Sequence, residues 1–305
     1  MLVSLAAAVL AVGPGRLEAD TINLTSVADT TLFEESPDNN LGKSTPMVGV
    51  NAHGKKSRML LRFDLVSVPT NAVISAATLK LKVVRTPSGG ATSNFDLRRV
   101  FKAWGEGAKG SPNSPGFENK GAVASANEAT WKARLSPTLW TTPGGSVGTD
   151  FSSTVSATTL IAGNATYTFA STADLVADVQ SWVSTPDSNF GWVVISRAES
   201  SVTPRTVRRV GSREIAANAP VLTVTFTVET PAQPPTLSQP QLVGNQLRFT
   251  FSAEANRGYT VEVSEPLTQP SWTVLRSIAS SPTATTVEVQ DAITLPHRYY
   301  RVRTP

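Results

Sequence analysis

The most regular pattern in the chain is an alternation of apolar and polar residues that runs from Ser57 to Val84. Apolar residues occupy every second position from Met59 to Leu65 and again from Leu79 to Val83, and residues 69–71 form a turn-rich break between the two runs. A period of two predicts strands with one face on a core and the other in water. We therefore expect two half-buried antiparallel strands here.

Other strand patterns follow as far as residue 228. Residues 192–195 are apolar without interruption, which is typical of a central strand, and residues 221–228 alternate again. Between residues 105 and 125 the chain has hardly any apolar residue. A loop of that length is either mobile or functional.

One segment has the period of a helix. Leu175, Val179 and Trp182 lie at helical spacing, and Ser171 or Thr172 precedes them as an N-cap. The spacing predicts a short helix with one apolar face. Trp182 on that face, and Trp192 in the apolar strand, are predicted to be core residues.

The order of these patterns predicts four parts in the chain. An apolar run at residues 2–12 is too short to cross a bilayer and is followed by Gly13-Pro14-Gly15, which favours a signal peptide over a buried strand or helix, although a basic start is missing. Four prolines lie in a short stretch before about five further strand patterns, which indicates a semi-rigid linker and a second small β domain. The predicted parts are a signal peptide (1–19), a β-sandwich domain (20–228), a linker (229–240) and a small β domain (241–305).

Composition agrees with folded β structure. Hydrophobic residues make up 40% and charged residues 16% of the 305 positions, and 21 Pro and 20 Gly favour short strands joined by turns. The chain has no cysteine, which excludes disulfides and thiolate metal sites. A net charge of +4 is too small to indicate a nucleic-acid partner. No later segment is long and apolar enough for a membrane span.

A series of short motifs occurs in a fixed order between residues 20 and 228. They are ADTTL (28–32), SPDNNLG (36–42), LLRFDL (60–65), AATLKL (76–81), WGEG (104–107), ATW (129–131), DVQSWV (178–183), SRE (212–214) and APVL (219–222). Their order resembles the DNRLRE domain, a secreted bacterial β-sandwich classified as carbohydrate-binding module family 96. The stretch between Trp104 and Trp131 is longer here than in that family.

The resemblance implies an all-β fold, a jelly-roll β-sandwich with one short helix, that binds polysaccharide. Residues 259–264, Trp272 and residues 299–303 are similar to the small fibronectin-like domains that end many exported proteins of Verrucomicrobia and Planctomycetes. This second resemblance implies a small fibronectin- or Ig-like β-sandwich and a secreted or cell-surface location, with no activity attached.

Catalytic residues are scarce. His53 and His297 are the only histidines and lie in different predicted domains, so a Ser-His-Asp triad or a histidine metal cluster is hard to build. Glu34 and Glu35 are adjacent and would point to opposite faces of a strand. The sequence therefore predicts that the protein is not an enzyme.

Arginines concentrate between residues 197 and 213, with two glutamates nearby. Arginine binds carboxylates bidentately, which suits uronate polysaccharides such as alginate, a ligand that the family resemblance also implies. An ordinary solvated face, with Arg213 and Glu214 as an ion pair, is an equally favoured interpretation. The predicted polysaccharide site comprises Arg205, Arg208, Arg209, Arg213, Arg62, Lys80 and Trp140, the last as an exposed aromatic.

One turn contains several side chains with oxygen atoms that could bind calcium. Glu35, Asp38 and Asn40 could supply oxygen ligands to a structural calcium ion. A Pro-Asp turn closed by an Asx hydrogen bond explains the same residues, and turn chemistry favours it.

The sequence thus predicts an exported, non-catalytic protein that binds an acidic polysaccharide. The alternative is a structural cell-surface or matrix module without sugar binding. Basic residues gathered on one face would favour the first function, and scattered ones the second.

Overall fold

The computed structural model describes residues 16–111, 116–200, 205–230, 234–265, 271–293 and 298–304. The predicted signal peptide lies outside these residues as far as residue 15. The chain divides into two compact units, of which residues 19–228 form one, called here the N-terminal unit, and residues 229–305 belong to the other, the C-terminal unit. Both consist of antiparallel strands, which confirms the all-β class. None of the described helices is long and apolar enough to cross a membrane.

The described part of the N-terminal unit contains fourteen strands and one α-helix. The strands are β1 (Arg16–Phe33), β2 (Asn39–Asn40), β3 (Met47–Val50), β4 (Lys56–Phe63), β5 (Val73–Arg85), β6 (Ser93–Arg99), β7 (Ala122–Val123), β8 (Ala133–Leu135), β9 (Thr138–Leu139), β10 (Ala157–Ile161), β11 (Thr166–Phe169), β12 (Trp192–Ser196), β13 (Arg208–Val210) and β14 (Val221–Thr230). The helix is α1 (Ala173–Ser184), and 3₁₀ turns lie at Pro186–Ser188, Arg197–Ser200 and Ala216–Asn218.

Two sheets face each other in this unit. One, sheet A, has the order β1-β14-β5-β11, and the other, sheet B, has the order β1-β4-β12-β6-β10. Strand β1 belongs to both, because it pairs with β14 and, from Ser26 to Phe33, with β4 across a register shift. Strand β13 pairs with β3 and β5 and so joins the sheets a second time. The result is a sandwich whose two strand runs predicted from Ser57 to Val84 are β4 and β5.

The apolar alternation accounts for the main core. Met59, Leu61 and Phe63 from β4 meet Leu79 and Leu81 from β5, and all five are buried. Helix α1 closes one side of this core with Leu175, Val179, Trp182 and Val183. It begins after Thr172, whose Oγ1 accepts a hydrogen bond from Leu175 N at 3.0 Å, so the predicted helix and its cap are confirmed.

A second core lies on the other face of sheet B. There Leu60 of β4 and Val193 of β12 pack under aromatic side chains from residues 104–151, which are Trp104, Trp131, Trp140 and Phe151. Sheet B is therefore buried on both faces, and this explains why residues 192–195 are apolar without alternation. The predictions that Trp182 and Trp192 are core residues are confirmed, and the prediction that Trp140 is exposed is wrong.

In the C-terminal unit the described residues form six strands in two three-stranded sheets. Their bounds are β15 (Gln241–Val243), β16 (Gln246–Ala253), β17 (Tyr259–Ser264), β18 (Thr273–Ile278), β19 (Thr285–Ala292) and β20 (Tyr299–Arg303), in the orders β15-β16-β19 and β18-β17-β20. Phe251 and Tyr259 lie in its core. Within the predicted linker, Thr236 and Ser238 hydrogen-bond to β16. The fibronectin-like type of this unit stays a prediction, and His297 lies outside the described residues.

Candidate functional site

Two of the predicted polysaccharide ligands, Arg208 and Arg209, are fully buried neighbours on β13. Arg208 donates from Nε to Ala162 O at 2.8 Å and from Nη2 to Ala91 O at 2.7 Å. The structure thus corrects the expectation that these arginines form part of an exposed basic surface. Period-two patterning gives no indication that both residues of an Arg-Arg pair are buried.

Arg209 ties the long loop to the sandwich. Its Nη1 donates to Thr45 O at 2.5 Å, and its Nη2 donates to Gly116 O at 2.5 Å and to Asn119 O at 2.7 Å. Burial lowers the pKa of Arg209 to about 10, although the charge of Glu118 opposes the shift. Even at that pKa the guanidinium stays charged at neutral pH. Among the described residues, every acceptor of its hydrogen bonds is a carbonyl oxygen.

Arg213 belongs to a hydrogen-bonding network that joins three of the short motifs, ADTTL (28–32), WGEG (104–107) and SRE (212–214). Its Nε and Nη2 donate to the two oxygens of Glu106 at 2.6 and 2.7 Å, and its backbone N–H donates to Asp29 Oδ2 at 2.9 Å. Ser212 Oγ donates to Asp29 Oδ1 at 2.7 Å. The hydrogen bond with Glu106 raises the pKa of Arg213. Glu214 is a second partner at 3.4 Å, so the ion pair expected within the SRE motif forms, but Glu106 is closer.

The WGEG motif at residues 104–107 also has a structural role. In the WGEG motif, Trp104 fills the second core, while a Cβ on Gly105 would lie 1.7 Å from Asn127 O and one on Gly107 would lie 2.3 Å from Asn40 Oδ1. These contacts require glycine. The motifs that carry the resemblance therefore specify how the long loop joins the sandwich.

The remaining predicted cations lie apart. Arg62 is half-buried, with its guanidinium 5.9 Å from the ring centre of Trp104 on the outer side of sheet B. Lys80 is exposed on the outer face of sheet A, opposite Thr168 of β11. Trp140 is buried, and its indole Nε1 donates to Thr130 O at 3.0 Å. The structure does not gather the predicted site residues on one surface.

The predicted calcium ligands bind other groups of the protein. Asp38 pairs with Lys132 Nζ at 2.7 Å. Asn40 is buried; its Nδ2 donates to Glu106 O and Ala129 O, and its Oδ1 accepts from Gly42 N at 2.9 Å. The Asx hydrogen bond of this turn thus comes from Asn40. Across the described ranges, no three Asp, Glu or His side chains are grouped so that they could hold a metal ion.

One concave surface brings together Arg205 and Glu35, which the sequence assigned to different sites. It has a volume of about 160 Å³ and is called here the basin. Apolar side chains from a small separate core form its floor, and polar side chains surround them. The basin is lined by Phe33, Met47, Phe117 and Val207 with Glu35, Asn51, His53, Lys120 and Arg205, and by Ala52.

Three chain segments position the polar side chains of the basin. Asn51 begins the turn between β3 and β4, and its Oδ1 accepts hydrogen bonds from His53 N and Lys55 N, both at 2.9 Å. Lys120 follows the loop segment that Arg209 holds. Arg205 precedes β13, and its Nη1 donates to Ser88 O at 3.2 Å.

Glu35 is the acidic centre of the basin. Its Oε1 lies 2.9 Å from His53 Nδ1 and 3.5 Å from Lys120 Nζ, and its Oε2 accepts from Asn51 Nδ2 at 3.0 Å. Burial raises the pKa of Glu35, but the hydrogen bond with His53 and the charge of Lys120 outweigh it, so the pKa lies below its ordinary value. Glu35 is thus anionic at neutral pH and holds three hydrogen-bonding side chains in place.

Arg205 brings a guanidinium group to the lining of the basin. Its Nε is buried, and no hydrogen-bond partner for it exists among the residues that the structure describes. Nor does any described carboxylate lie within ion-pair distance of this guanidinium. An apolar floor with a few fixed donors and a charged group is the usual composition of a small-molecule site.

Sequence reasoning missed Asn51, Phe117 and Lys120. Asn51 had a signal, because Asn-Ala-His-Gly between two strand patterns predicts a turn. Phe117 had one too, since it is a single large apolar residue in a stretch of polar ones. Nothing in the pattern places either residue beside Arg205, because Arg205 lies 88 positions after Phe117 and 154 positions after Asn51 in the sequence.

These features define the N-terminal unit as a β-sandwich with a small basin of mixed apolar and polar lining. Residues 20–142 match the family model for carbohydrate-binding module family 96, so the resemblance inferred from the motifs is confirmed over that segment and a carbohydrate is supported as the partner. The match includes all of the basin's lining except Arg205 and Val207.

Other comparisons add little. No curated protein matches the chain. Among solved structures, a chain of the "KBV activated particle at acidic pH" aligns at 12% identity over 73% of this chain and 76% of its own length. The TM-score of 0.19 is too low to support a statement about fold or function.

Proposed function

We propose that the N-terminal unit binds an acidic polysaccharide outside the cell and that a uronate carboxylate enters the basin beside Arg205. The observation that carries the proposal is that the Arg205 guanidinium lines the basin beside an apolar floor and has no carboxylate partner among the described residues. An arginine fork binds a carboxylate bidentately, and apolar side chains contact the C–H face of a sugar ring. Phe117 is the half-buried aromatic of that floor.

Glu35 does not oppose this arrangement. Its negative charge is offset by Lys120, whose Nζ lies 3.5 Å from Oε1, and His53 Nδ1 lies 2.9 Å from the same oxygen. Asn51, which Glu35 also orients, lines the same basin. A uronate therefore meets a charge at Arg205 and hydrogen-bonding groups around Glu35. A neutral sugar would leave the Arg205 guanidinium without its counter-charge, and this favours acidic ligands.

Affinity electrophoresis of the full chain tests the proposal. Native gels would contain alginate, pectin or a neutral glucan, and the variants would be Arg205→Ala and, as a matched control, Lys80→Ala, which removes an exposed cation from the outer face of sheet A. We expect an acidic polymer to retard the wild type and Lys80→Ala. Arg205→Ala should bind about tenfold more weakly, as loss of a charge-assisted hydrogen bond predicts. Folded wild type that migrates alike in every gel would contradict the proposal, as would loss of binding in Lys80→Ala alone.

A structural module remains the second candidate function, and one observation favours it. Many arginines of the N-terminal unit are used inside the fold: Arg58 Nη2 lies 2.6 Å from Glu199 Oε2, Arg197 Nε lies 2.9 Å from Asp96 Oδ1, and Arg213 pairs with Glu106. The basic residues are thus scattered, as expected for a matrix or cell-surface module. Retardation by no polymer, together with self-association of the chain in sedimentation experiments, would favour this candidate.

A further inference from the structure

A larger cavity lies elsewhere in the N-terminal unit, where the connection from β4 to β5 passes the end of α1. Its volume is about 350 Å³. Leu65 and Val183 contribute apolar wall, and Asp64 and Thr70 contribute polar groups that are exposed. Trp182 forms part of the wall. None of the residues that line the basin lines this cavity.

Trp182 has an unusual feature for a buried tryptophan. The residue is 1% exposed, and its indole Nε1 has no acceptor among the described residues. The indoles of Trp104, Trp140 and Trp192, by contrast, donate to Phe190 O, Thr130 O and Asp178 Oδ2. A buried donor without an acceptor is unfavourable, and a polar group in the adjoining cavity would relieve it.

Two neighbouring side chains pack against the Trp182 ring. The Arg99 guanidinium lies 5.6 Å from its ring centre, and the ring of Trp192 lies 4.4 Å away in an edge arrangement. Nε1 is the atom of this indole that lacks a partner, so the contact that Trp182 offers a ligand is a hydrogen bond and not ring stacking. Recognition here depends on hydrogen bonding.

The other polar groups of the cavity select an uncharged ligand. Asp64 Oδ1 accepts from Val66 N at 2.9 Å, which leaves Oδ2 to accept from a ligand hydroxyl. Asp64 is the one charged residue among the described residues that line the cavity, and the nearby Arg99 guanidinium lies over the Trp182 ring and donates to Ser188 Oγ at 3.3 Å. A carboxylate in the cavity would therefore lie beside the charge of Asp64. Val66 is 87% exposed at this turn and can contact the C–H side of a sugar. Donor, acceptor and apolar contact together suit a neutral polyhydroxylated ring.

We propose that this cavity is a second carbohydrate site, for a neutral sugar unit, in which Trp182 Nε1 donates to one hydroxyl and Asp64 accepts from another. The site goes beyond the proposed function, since it involves neither the basin nor a uronate. It depends on the carbohydrate class that the family match supports.

Nuclear magnetic resonance of the ¹⁵N-labelled full chain tests this site through the tryptophan indoles, of which the chain has six. Trp182→Phe identifies the Trp182 Nε1–H signal. Methyl glucoside, methyl mannoside and methyl galactoside are then titrated, with glucuronate and galacturonate as acidic counterparts. We expect a neutral glycoside to shift the Trp182 signal in a saturable way, while the signals of Trp104 and Trp140, whose donors are occupied, stay in place.

The variant Asp64→Ala makes the test independent of the Trp182 substitution. Asp64 is exposed, so the fold is expected to persist, and removing an acceptor for a ligand hydroxyl should weaken binding by about tenfold. A Trp182 signal that no neutral glycoside moves would overturn the proposal. Equal shifts with uronates would overturn the neutral specificity. Arg205→Ala, which disables the basin, is expected to leave the Trp182 titration unchanged.

Discussion

Asp29 is a completely buried carboxylate at the joint between β1 and the SRE motif. Burial raises its pKa from 3.8 to about 6, although hydrogen bonds from Arg213 N, Ser212 and Ser26 favour the charged form. Because the pKa is raised in the folded state, the stabilisation is complete below about pH 3.8 and is lost as the pH rises through about 6. We expect the free energy of unfolding contributed by Asp29 to fall by up to about 3 kcal/mol across that window.

Urea unfolding of the wild type and Asp29→Asn from pH 4 to pH 8 measures this contribution. Asparagine keeps the shape of the side chain and does not titrate. The difference in unfolding free energy between the two proteins should therefore change with pH in this window and be constant above about pH 7. Parallel stability curves throughout the range would show that Asp29 has no raised pKa.

At the scale of residues, the sequence predicts whether a side chain is buried only where a periodic apolar pattern surrounds it. Trp182 and Trp192 were assigned to the core because each sits in a periodic apolar pattern. Trp140 has no such pattern around it, and its burial depends on Phe151, whose ring centre lies 5.5 Å away. Arg208 and Arg209 are buried because distant carbonyl groups converge on them. Such convergence is a property of the tertiary fold and leaves no local signal.

At the scale of elements, Arg208 and Arg209 form a matched pair on one strand. Both are fully buried and donate to carbonyl oxygens, but only Arg209 binds the loop at Gly116 and Asn119 that carries Phe117 into the basin. Replacing either by Met should destabilise the fold by on the order of 1–3 kcal/mol, because buried carbonyls lose their donors. Only Arg209→Met should release the loop.

Hydrogen exchange followed by mass spectrometry can separate the two effects. Peptides covering residues 116–121 are expected to exchange faster in Arg209→Met than in Arg208→Met at matched global stability. If acidic polysaccharide binds in the basin, its affinity should fall in Arg209→Met and stay near the wild-type value in Arg208→Met. Equal loop exchange in both variants would contradict this role for Arg209.

Sequence patterns predict some elements of the N-terminal unit and not others. Strands β4 and β5 and helix α1 follow from alternation and helical spacing, since each has one face on a core. The segment from residue 104 to 151 covers sheet B with a few isolated aromatics between turns, so no period exists to detect. The uninterrupted apolar run in β12 is the one local sign that something covers that second face.

At the scale of the whole molecule, each unit has a hydrophobic core made from its own residues. The main core of the N-terminal unit combines β4, β5, β12, β14 and α1, whereas Phe249, Phe251 and Tyr259 belong to the core of the C-terminal unit. Domains with separate cores can unfold separately. We therefore expect differential scanning calorimetry of the full chain to show two transitions.

Calorimetry of a fragment of residues 19–228 would show which of the two transitions belongs to the N-terminal unit. The fragment is expected to retain one of them within a few degrees of its midpoint in the full chain, and to keep the near-ultraviolet circular dichroism of its five core tryptophans, which are Trp104, Trp131, Trp140, Trp182 and Trp192. Such a result means that carbohydrate binding can be measured on this fragment alone. One cooperative transition in the full chain, lost on truncation, would mean instead that the N-terminal unit depends on residues 229–305 for its stability, and its ligand would then have to be sought with the whole chain.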